Sequence, residues 1–299
     1  MSKLIYFKRY LYVIDRLRSR PCSFSELQHH VMRKLEQEDI DTTFEYSVRT
    51  FERDRKDIEL LFGVFIHFDR KEKSYTIDEA EIGDQSVTRM IDAFSIHHAL
   101  QEGNKLSQSV FLEKRKSLGT EHIHGIIHAI QNRFILQFTH QKHWEDFSTE
   151  RKVYPIAVKE SQNRWYLVAL DKKDEKVKTF GLDRITNLKI SETKFKPFVF
   201  NVEKEFRNAF GVETYAQAEK VILQFSNKQG NYIKTFPLHE SQRILEETED
   251  TVIMEIYIHT TNDIMMELLK YGSNVKVITP ISLQKAIKKR ISEMSNLYK

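Results

Sequence analysis

The chain has 299 residues, with 47 Lys plus Arg against 43 Asp plus Glu for a formal charge of +4, and contains 9 Gly, 5 Pro and 1 Cys. That length admits two or three domains, and 40% apolar with 11% aromatic residues supplies real cores, while low Gly and Pro argue against a disordered or linker-rich chain. The lone Cys22 excludes an intrachain disulfide and a Cys-based metal site; it is expected to be a small buried residue in a reducing compartment.

The longest apolar run, LLFGVFI at residues 60–66, is too short to span a bilayer, and the opening MSKLIYFKRY lacks the order of a signal peptide. A soluble cytoplasmic protein without a membrane partner is therefore expected. A charge of +4 spread over such a chain identifies no partner by itself.

Residues 1–80 open with KLIYFKRYLYVIDRLRS, where Phe7, Tyr10, Leu11, Ile14 and Leu17 recur at helical spacing, and Pro21 closes the helix. In SFSELQHHVMRKL, Ser23 and Glu26 stand three apart as a capping box, followed by the stripe Leu27, Val31, Leu35. A third helix is predicted over FEYSVRTFERDRKDIELLF, ended by Gly63, and VFIHFDRKEKSYTI reads as two alternating strands around a charged tip. Three helices and a hairpin in this order describe a winged helix-turn-helix.

On a wheel of about 100° per residue, Val48, Phe51, Ile58 and Phe62 of the third helix gather on one side. Arg49, Arg53 and Lys56 gather opposite, with Thr50 at the edge, the arrangement required of a helix that reads the DNA major groove. The hairpin tip adds Arg70, Lys71 and Lys73. A solvated surface helix is the competing reading, because residues 1–80 carry 15 bases and 15 acids, although residues 1–20 hold six bases against one acid.

Residues 81–132 are helical in pattern, and a helical linker suited to dimer contacts is predicted there. Val87, Met90, Ile91 and Phe94 form one stripe, QEGNK at 101–105 interrupts it, and Ile123, Ile126, Ile127 and Ile130 form another. His124 and His128 lie four apart and could meet one metal, but no Glu follows His124 as in the zinc-protease motif and no third ligand is evident. A polar flank is the plainer reading, and no cofactor is expected.

From Phe134 the period changes to two. FILQFTH, TERKVYPIAV, RWYLVAL, KVKTFGL and RITNLKI are short alternating strands separated by charged turns, the pattern of a small closed barrel over residues 133–200. Residues 150–200 hold 12 bases against 7 acids, so the candidate barrel is more basic than the candidate DNA reader. Aromatic rings in a basic field stack and neutralise nucleotides or single strands. Trp165 and Tyr166 are the candidate ligand-binding aromatics; being adjacent they point to opposite faces, and the competing reading makes them ordinary core and edge aromatics of a small barrel, Trp165 above all. Lys159, Lys178 and Arg184 are the candidate anion contacts, with a structural pairing of Arg184 to an acid as the alternative.

Residues 217–299 run strand, helix, hairpin, helix, strand, the β-α-β-β-α-β order of a ferredoxin-like domain. Pro280 then opens a terminal helix in which Ile281, Ala286 and Ile287 are expected to pack.

Several of these stretches resemble one family. SVRTFERD with DIELLFGVFI, the tripeptide Trp165-Tyr166-Leu167, PLHESQRI at 237–244 and LLKYGSNVKVITPISL at 268–283 are similar, in order, to the parts of bacterial transcriptional regulators that carry a WYL domain. The resemblance implies an α+β multidomain protein: a winged helix-turn-helix, a helical linker, an Sm-like, SH3-type β-barrel and a ferredoxin-like C-terminal extension. It further implies a ligand-responsive regulator of double-stranded DNA; the basic aromatic face suggests an anionic nucleotide or single-stranded nucleic acid as the ligand, and a homodimer is expected because one winged helix reads too few base pairs for a unique address. Two residues depart from the pattern: Arg55 stands on the packing side of the third helix where relatives have an aliphatic residue, and Gly181 stands where many relatives have Arg. The first is expected to snorkel toward phosphate, and the second either to weaken ligand binding or to leave room for a larger ligand.

No phosphate-cradling glycine loop, G-x-S-x-G or carboxylate cluster is visible in the sequence, so no enzymatic activity is expected. An RNA-binding module or a metal-dependent nuclease acting on nucleic acid remain the alternatives.

Overall fold

A computed structural model describes residues 3–37, 45–77, 89, 91–93, 118–143 and 145–299. The chain divides into two compact units, Met1–Lys114 and Arg115–Lys299.

The first unit contains α1 (Lys3–Ser19), α2 (Phe24–Gln37), α3 (Val48–Phe62) and the antiparallel strands β1 (Ile66–Asp69) and β2 (Ser74–Ile77). Helix α2 starts where the capping box requires. Ser23 N–H donates to Glu26 Oε2 at 2.8 Å and, with the Ser23 hydroxyl at 3.0 Å, holds the Glu26 carboxyl below its ordinary range, while Glu26 N–H donates back to Ser23 Oγ at 3.4 Å. Leu27, Val31 and Leu35 are fully buried, as their spacing predicts.

Helix α3 begins at Val48, later than its apolar pattern suggests. Ser47 Oγ accepts the Thr50 N–H at 3.3 Å as the N-cap, while Tyr46 turns into the core and its carbonyl accepts Gln28 Nε2 at 2.9 Å. Gly63 ends the helix at φ +60°, its N–H donating to Glu59 O at 2.9 Å. Asp69 Oδ1 then closes the hairpin tip by accepting the N–H groups of Lys71 and Glu72 at 2.7 and 3.2 Å. Cys22, buried and free, pairs with Tyr75 through an isolated antiparallel bridge, its N–H donating to Tyr75 O at 3.2 Å and Tyr75 N–H donating to Cys22 O at 2.8 Å.

Between α1 and α3 lies a fully buried ion pair. Arg9 Nε and Nη2 donate to Asp54 Oδ2 and Oδ1 at 2.8 and 2.6 Å, and one turn along Tyr10 Oη donates to Asp57 Oδ2 at 2.7 Å. Of the linker stripe expected from sequence, Ile91 is buried in this core and Asp92 pairs with Arg18 at 2.6 Å; Val87, Met90, Phe94 and residues 101–105 lie outside the described residues.

The second unit begins with a 3-10 turn, Thr120–His122, and α4 (Ile123–Asn132). Five antiparallel strands follow: β3 (Phe134–Gln141), β4 (Ser148–Ser161), β5 (Arg164–Asp171), β6 (Lys176–Gly181) and β7 (Ile185–Lys194). Their order is β6-β5-β4-β3-β7, and a 3-10 turn at Leu182–Arg184 carries the chain from one edge of the sheet to the other. Ile126 and Ala129 of α4 are buried in the same core as Leu136, Phe138 and Leu167, so the end of the expected linker belongs to this sheet. Ile127, expected in the apolar stripe, is instead 40% exposed: the buried arc of α4 centres on Ile126 and Ala129 and leaves it on the flank.

After α5 (Val202–Phe206) come β8 (Ala218–Ser226), α6 (Asn227–Thr235), β9 (Arg243–Glu247), β10 (Thr251–His259), α7 (Asn262–Lys270) and β11 (Val275–Thr279). This β-α-β-β-α-β run pairs antiparallel in the order β11-β8-β10-β9. Val221, Leu223 and Phe225 alternate inward against Val252, Met254, Ile256 and Ile258. Helix α6 sits close on β10 because Gly230 has no side chain; a Cβ there would lie 2.5 Å from Val252 Cγ2. In the terminal helix α8 (Ile281–Asn296), Leu283 and Ile287 pack whereas Ile281 and Ala286 are exposed, contrary to expectation. Gln284 fixes the rotation, its Nε2 donating to the carbonyls of Val277 and Ile278 at 2.9 and 2.6 Å.

The Arg9–Asp54 pair yields a stability prediction. Removing one partner leaves a buried uncompensated charge, so Asp54→Ala is expected to destabilise the first unit by about 3–5 kcal/mol. The double variant Arg9→Met, Asp54→Leu is expected to recover most of that loss, as urea unfolding followed by circular dichroism will read.

Candidate nucleic-acid interface and ligand site

Helix α3 buries Phe51, Asp54, Ile58 and Phe62. Asp54 shifts the buried arc away from the position the apolar residues alone suggest, which leaves Val48, expected in the packing face, 51% exposed. Opposite this arc, Arg49, Arg53 and Lys56 are all exposed in one row. Thr50 is half-buried and its Oγ1 lies 3.1 Å from Ser47 Oγ, so it serves the cap more than the outer row. Arg55 borders the packing face, half-exposed and paired with Glu52 at 3.3 Å. Arg70, Lys71 and Lys73 are exposed at the β1–β2 turn.

In the second unit the register of β5 settles the two adjacent aromatics. Trp165, a ligand-binding candidate from sequence, lies on the side of Leu167 and Ala169 and packs, partly buried, against the core, so it does not share a face with Tyr166. Across from Tyr166 stand Lys159 on β4 and Gly181 on β6, so the three residues form one row. Lys159 is half-buried, its Nζ 5.3 Å from the centre of the Phe206 ring, and burial draws its pKa down. It borders a groove of about 590 Å³ walled also by Val158, Phe206, Arg207 and His239.

Arg184 folds back over Gly181. A Cβ at position 181 would lie 2.7 Å from Arg184 Nε and Nη2 and 2.5 Å from Asp183 Oδ1, so the room that glycine leaves is filled by the chain's own arginine and is not open for a larger ligand. Asp183 sits among bases, 3.2 Å from Arg164 Nη1, 3.6 Å from His143 Nε2 and 3.7 Å from Arg184 Nε. Arg184 is 18% exposed and its Nε has no hydrogen-bond partner among the described residues. This cluster keeps more donors than one carboxylate satisfies, which suits an incoming anion.

Burial raises the Tyr166 pKa; Arg164 and Arg184 oppose the rise, and Asp263 at the start of α7 adds to it. Asp263 is held in place by the N–H groups of Val212 and Glu213, at 2.8 and 3.1 Å from its Oδ2.

Lys178 does not join this row. It pairs across from Ala169, on the opposite face from Tyr166, and its Nζ donates to Asp171 Oδ2 at 2.9 Å and also to Asp174. Asp171, buried, also takes Arg151 at 2.9 Å, so Lys178 is part of a structural charge network. His124 and His128 are exposed, with His128 bonded to Asn132 at 3.2 Å. Among the described residues no group of three or more His, Cys, Asp or Glu could hold a metal ion, and no helix is long and apolar enough to cross a membrane.

Arg164, His143 and His140 belong to the site without standing out in the sequence as candidates. His140 was visible as the one polar residue on the inward period of FILQFTH, after Leu136 and Phe138. It is 6% exposed between the Phe138 and Phe180 rings, and neither ring nitrogen has a partner among the described residues. Burial, helped by the charges of Arg184, Arg151 and Lys142, pushes its pKa down to about 4.

The pattern of the WYL domain matches residues 121–190, and that of the WCX domain matches residues 217–295. Among solved structures, proteasome accessory factor B/C (PafBC) of Arthrobacter aurescens is 18% identical at a TM-score of 0.37, with 97% of this chain and 46% of that chain covered. The chain thus spans about half the length of PafBC. A CRISPR Cas-related protein is 10% identical at a TM-score of 0.43, with 98% of this chain and 84% of that chain covered. No curated protein sequence matches significantly.

His140 supplies a test of the second unit's core. The unfolded imidazole takes its proton near pH ~6.5, the folded one only near 4, so the unfolded state binds more protons between those values and stability falls as pH drops through that window. His140→Phe is expected to raise stability at pH ~7 by about 1–3 kcal/mol, because it removes two unpartnered buried nitrogens, and to flatten the acid-side slope. Urea unfolding followed by tryptophan fluorescence reads this unit alone, since Trp144 and Trp165 both fall in Arg115–Lys299.

Proposed function

Because this chain belongs to the family of WYL-domain regulators, we propose that it is a transcription regulator that reads duplex DNA with α3 and adjusts that binding to an anionic ligand on the β4–β5–β6 face. We read α1–α3 with β1 and β2 as a winged helix-turn-helix, and β3–β7 as an Sm-like, SH3-type barrel. The observation that carries the proposal is the row Arg49, Arg53, Lys56, exposed directly opposite the buried Phe51, Asp54, Ile58 and Phe62. A helix packed on one side and bearing long donors on the other meets the geometric demand of the major groove. Arg70, Lys71 and Lys73 reach the phosphate backbone beside it.

In the sensor, Tyr166 offers a ring face, with Lys159 on one flank and Arg184 on the other. A ring between two cations fits a nucleotide or a short single strand, where stacking and charge neutralisation add. Trp165 supports this face from the core side and Lys178 takes no part. A second copy of the chain doubles the base pairs read, so an inverted repeat is the operator symmetry that follows.

Selection of bound genomic fragments, then fluorescence anisotropy on a recovered site, tests the first half. Arg49→Ala and Arg53→Ala are each expected to cost about 1–3 kcal/mol of specific binding with the fold intact; unchanged affinity in the double variant overturns the assignment. For the second half, calorimetry against nucleotides and oligonucleotides is expected to find a ligand. Arg184→Ala should then abolish that ligand's effect on DNA affinity while ligand-free DNA binding stays near wild type, because the site biases a two-state equilibrium without touching the operator.

A further inference from the structure

One aromatic ring on α1 faces two guanidinium groups. Arg9 Cζ lies 4.8 Å and Arg53 Cζ 5.5 Å from the centre of the half-buried Tyr6 ring. Two like charges tolerate one ring because Arg9 is already neutralised by Asp54, on the residue next to Arg53 along α3. Arg53 itself is exposed and, among the described residues, has no carboxylate or hydrogen-bond partner, so this stack is the contact that restrains its guanidinium. Among the described residues, no ring lies over Arg49 or Lys56, its neighbours in the row.

The kind of restraint matters. A salt bridge would hold the guanidinium by its N–H edges and use the donors up, whereas a ring holds it through the delocalised cation and leaves the planar fork of donors free. A fork fixed in direction before DNA arrives matches the O6 and N7 acceptors of guanine, the base that a bidentate arginine reads. We propose that Tyr6 is a specificity-determining positioning residue, holding the Arg53 guanidinium ready to read a guanine in the major groove. The proposal rests on the DNA-reading role of α3 and adds which side chain reads, which base it reads, and why that side chain is ordered.

The test uses the full-length protein, a selected genomic site and an unrelated duplex of equal length. Tyr6→Phe keeps the ring and is expected to bind as wild type. Tyr6→Leu is expected to lose about three- to tenfold on the selected site, the ordering cost of one long side chain, and nothing on the unrelated duplex. Combined with Arg53→Ala it should be no weaker than Arg53→Ala alone. Replacing the contacted guanine by 7-deazaguanine should erase the difference between wild type and Tyr6→Leu.

Equal losses on both duplexes mean that Arg53 meets phosphate, and they overturn the proposal; so does additivity with Arg53→Ala, or an unchanged Tyr6→Leu. Failure of the wild type to select any fragment refutes the DNA reading itself, and is told apart from the case in which Arg53→Ala loses binding while Tyr6→Leu does not. If Tyr6→Leu does not fold, the side-chain Nε–H resonances of the wild type decide: a ring-shifted, slowly exchanging Arg53 signal supports the stack, and one averaged like that of Arg49 refutes it.

Discussion

The buried fork between Arg9 and Asp54 is the constraint on which the direction of α3 rests. Both side chains are essentially removed from water, and two hydrogen bonds of 2.8 and 2.6 Å join helices whose residues stand 45 positions apart. Apolar contacts alone let one helix roll on another at small cost, whereas a bidentate guanidinium–carboxylate pair accepts a narrow range of orientations. Fixing Asp54 inward fixes the opposite side outward. Arg49, Arg53 and Lys56 therefore point away from the core as a consequence of a charge hidden within it. The same carboxylate quenches Arg9, which lets Arg53 share the Tyr6 ring.

The second unit depends on parity in a similar way. One register between β4, β5 and β6 turns Trp165 toward the core, where it packs partly buried, and sets Lys159, Tyr166 and Gly181 in a row on the other face. Gly181 then matters for what it permits, because Arg184 occupies the volume that any side chain would claim. Asp183 is set among Arg164, His143 and Arg184, within 3.2, 3.6 and 3.7 Å of their nitrogens. His140 lies between Phe138 and Phe180 with two ring nitrogens that find no partner among the described residues, a cost to stability that natural cores seldom carry.

Much was legible from spacing alone. The capping box at Ser23 and Glu26, the stripe Leu27, Val31, Leu35, the change to a period of two at Phe134 and the β-α-β-β-α-β order after residue 217 all appear in the structure. Each is a local signal, carried by residues within a turn or a strand of one another, and local backbone preference and burial act on the same few residues. The opposed faces of Trp165 and Tyr166 were equally readable, since adjacent strand residues diverge whatever the fold.

What the sequence by itself determined, then, was the kind and order of elements, the apolar faces they must bury, and the outward charge of α3. Only the tertiary structure decided which polar residues are buried and which bases are already used. Asp54 reads as one more surface acid until Arg9 is brought to it, and Lys178 reads as a free cation until the β5–β6 register turns it toward Asp171 and Asp174. Val48 and Ile281 look like packing residues until Asp54 and Gln284 set the rotation of their helices. The physical reason is the same throughout: hydrophobic period is written within one element, but the partner that satisfies a buried charge or an amide lies on another, and nothing in local spacing names it.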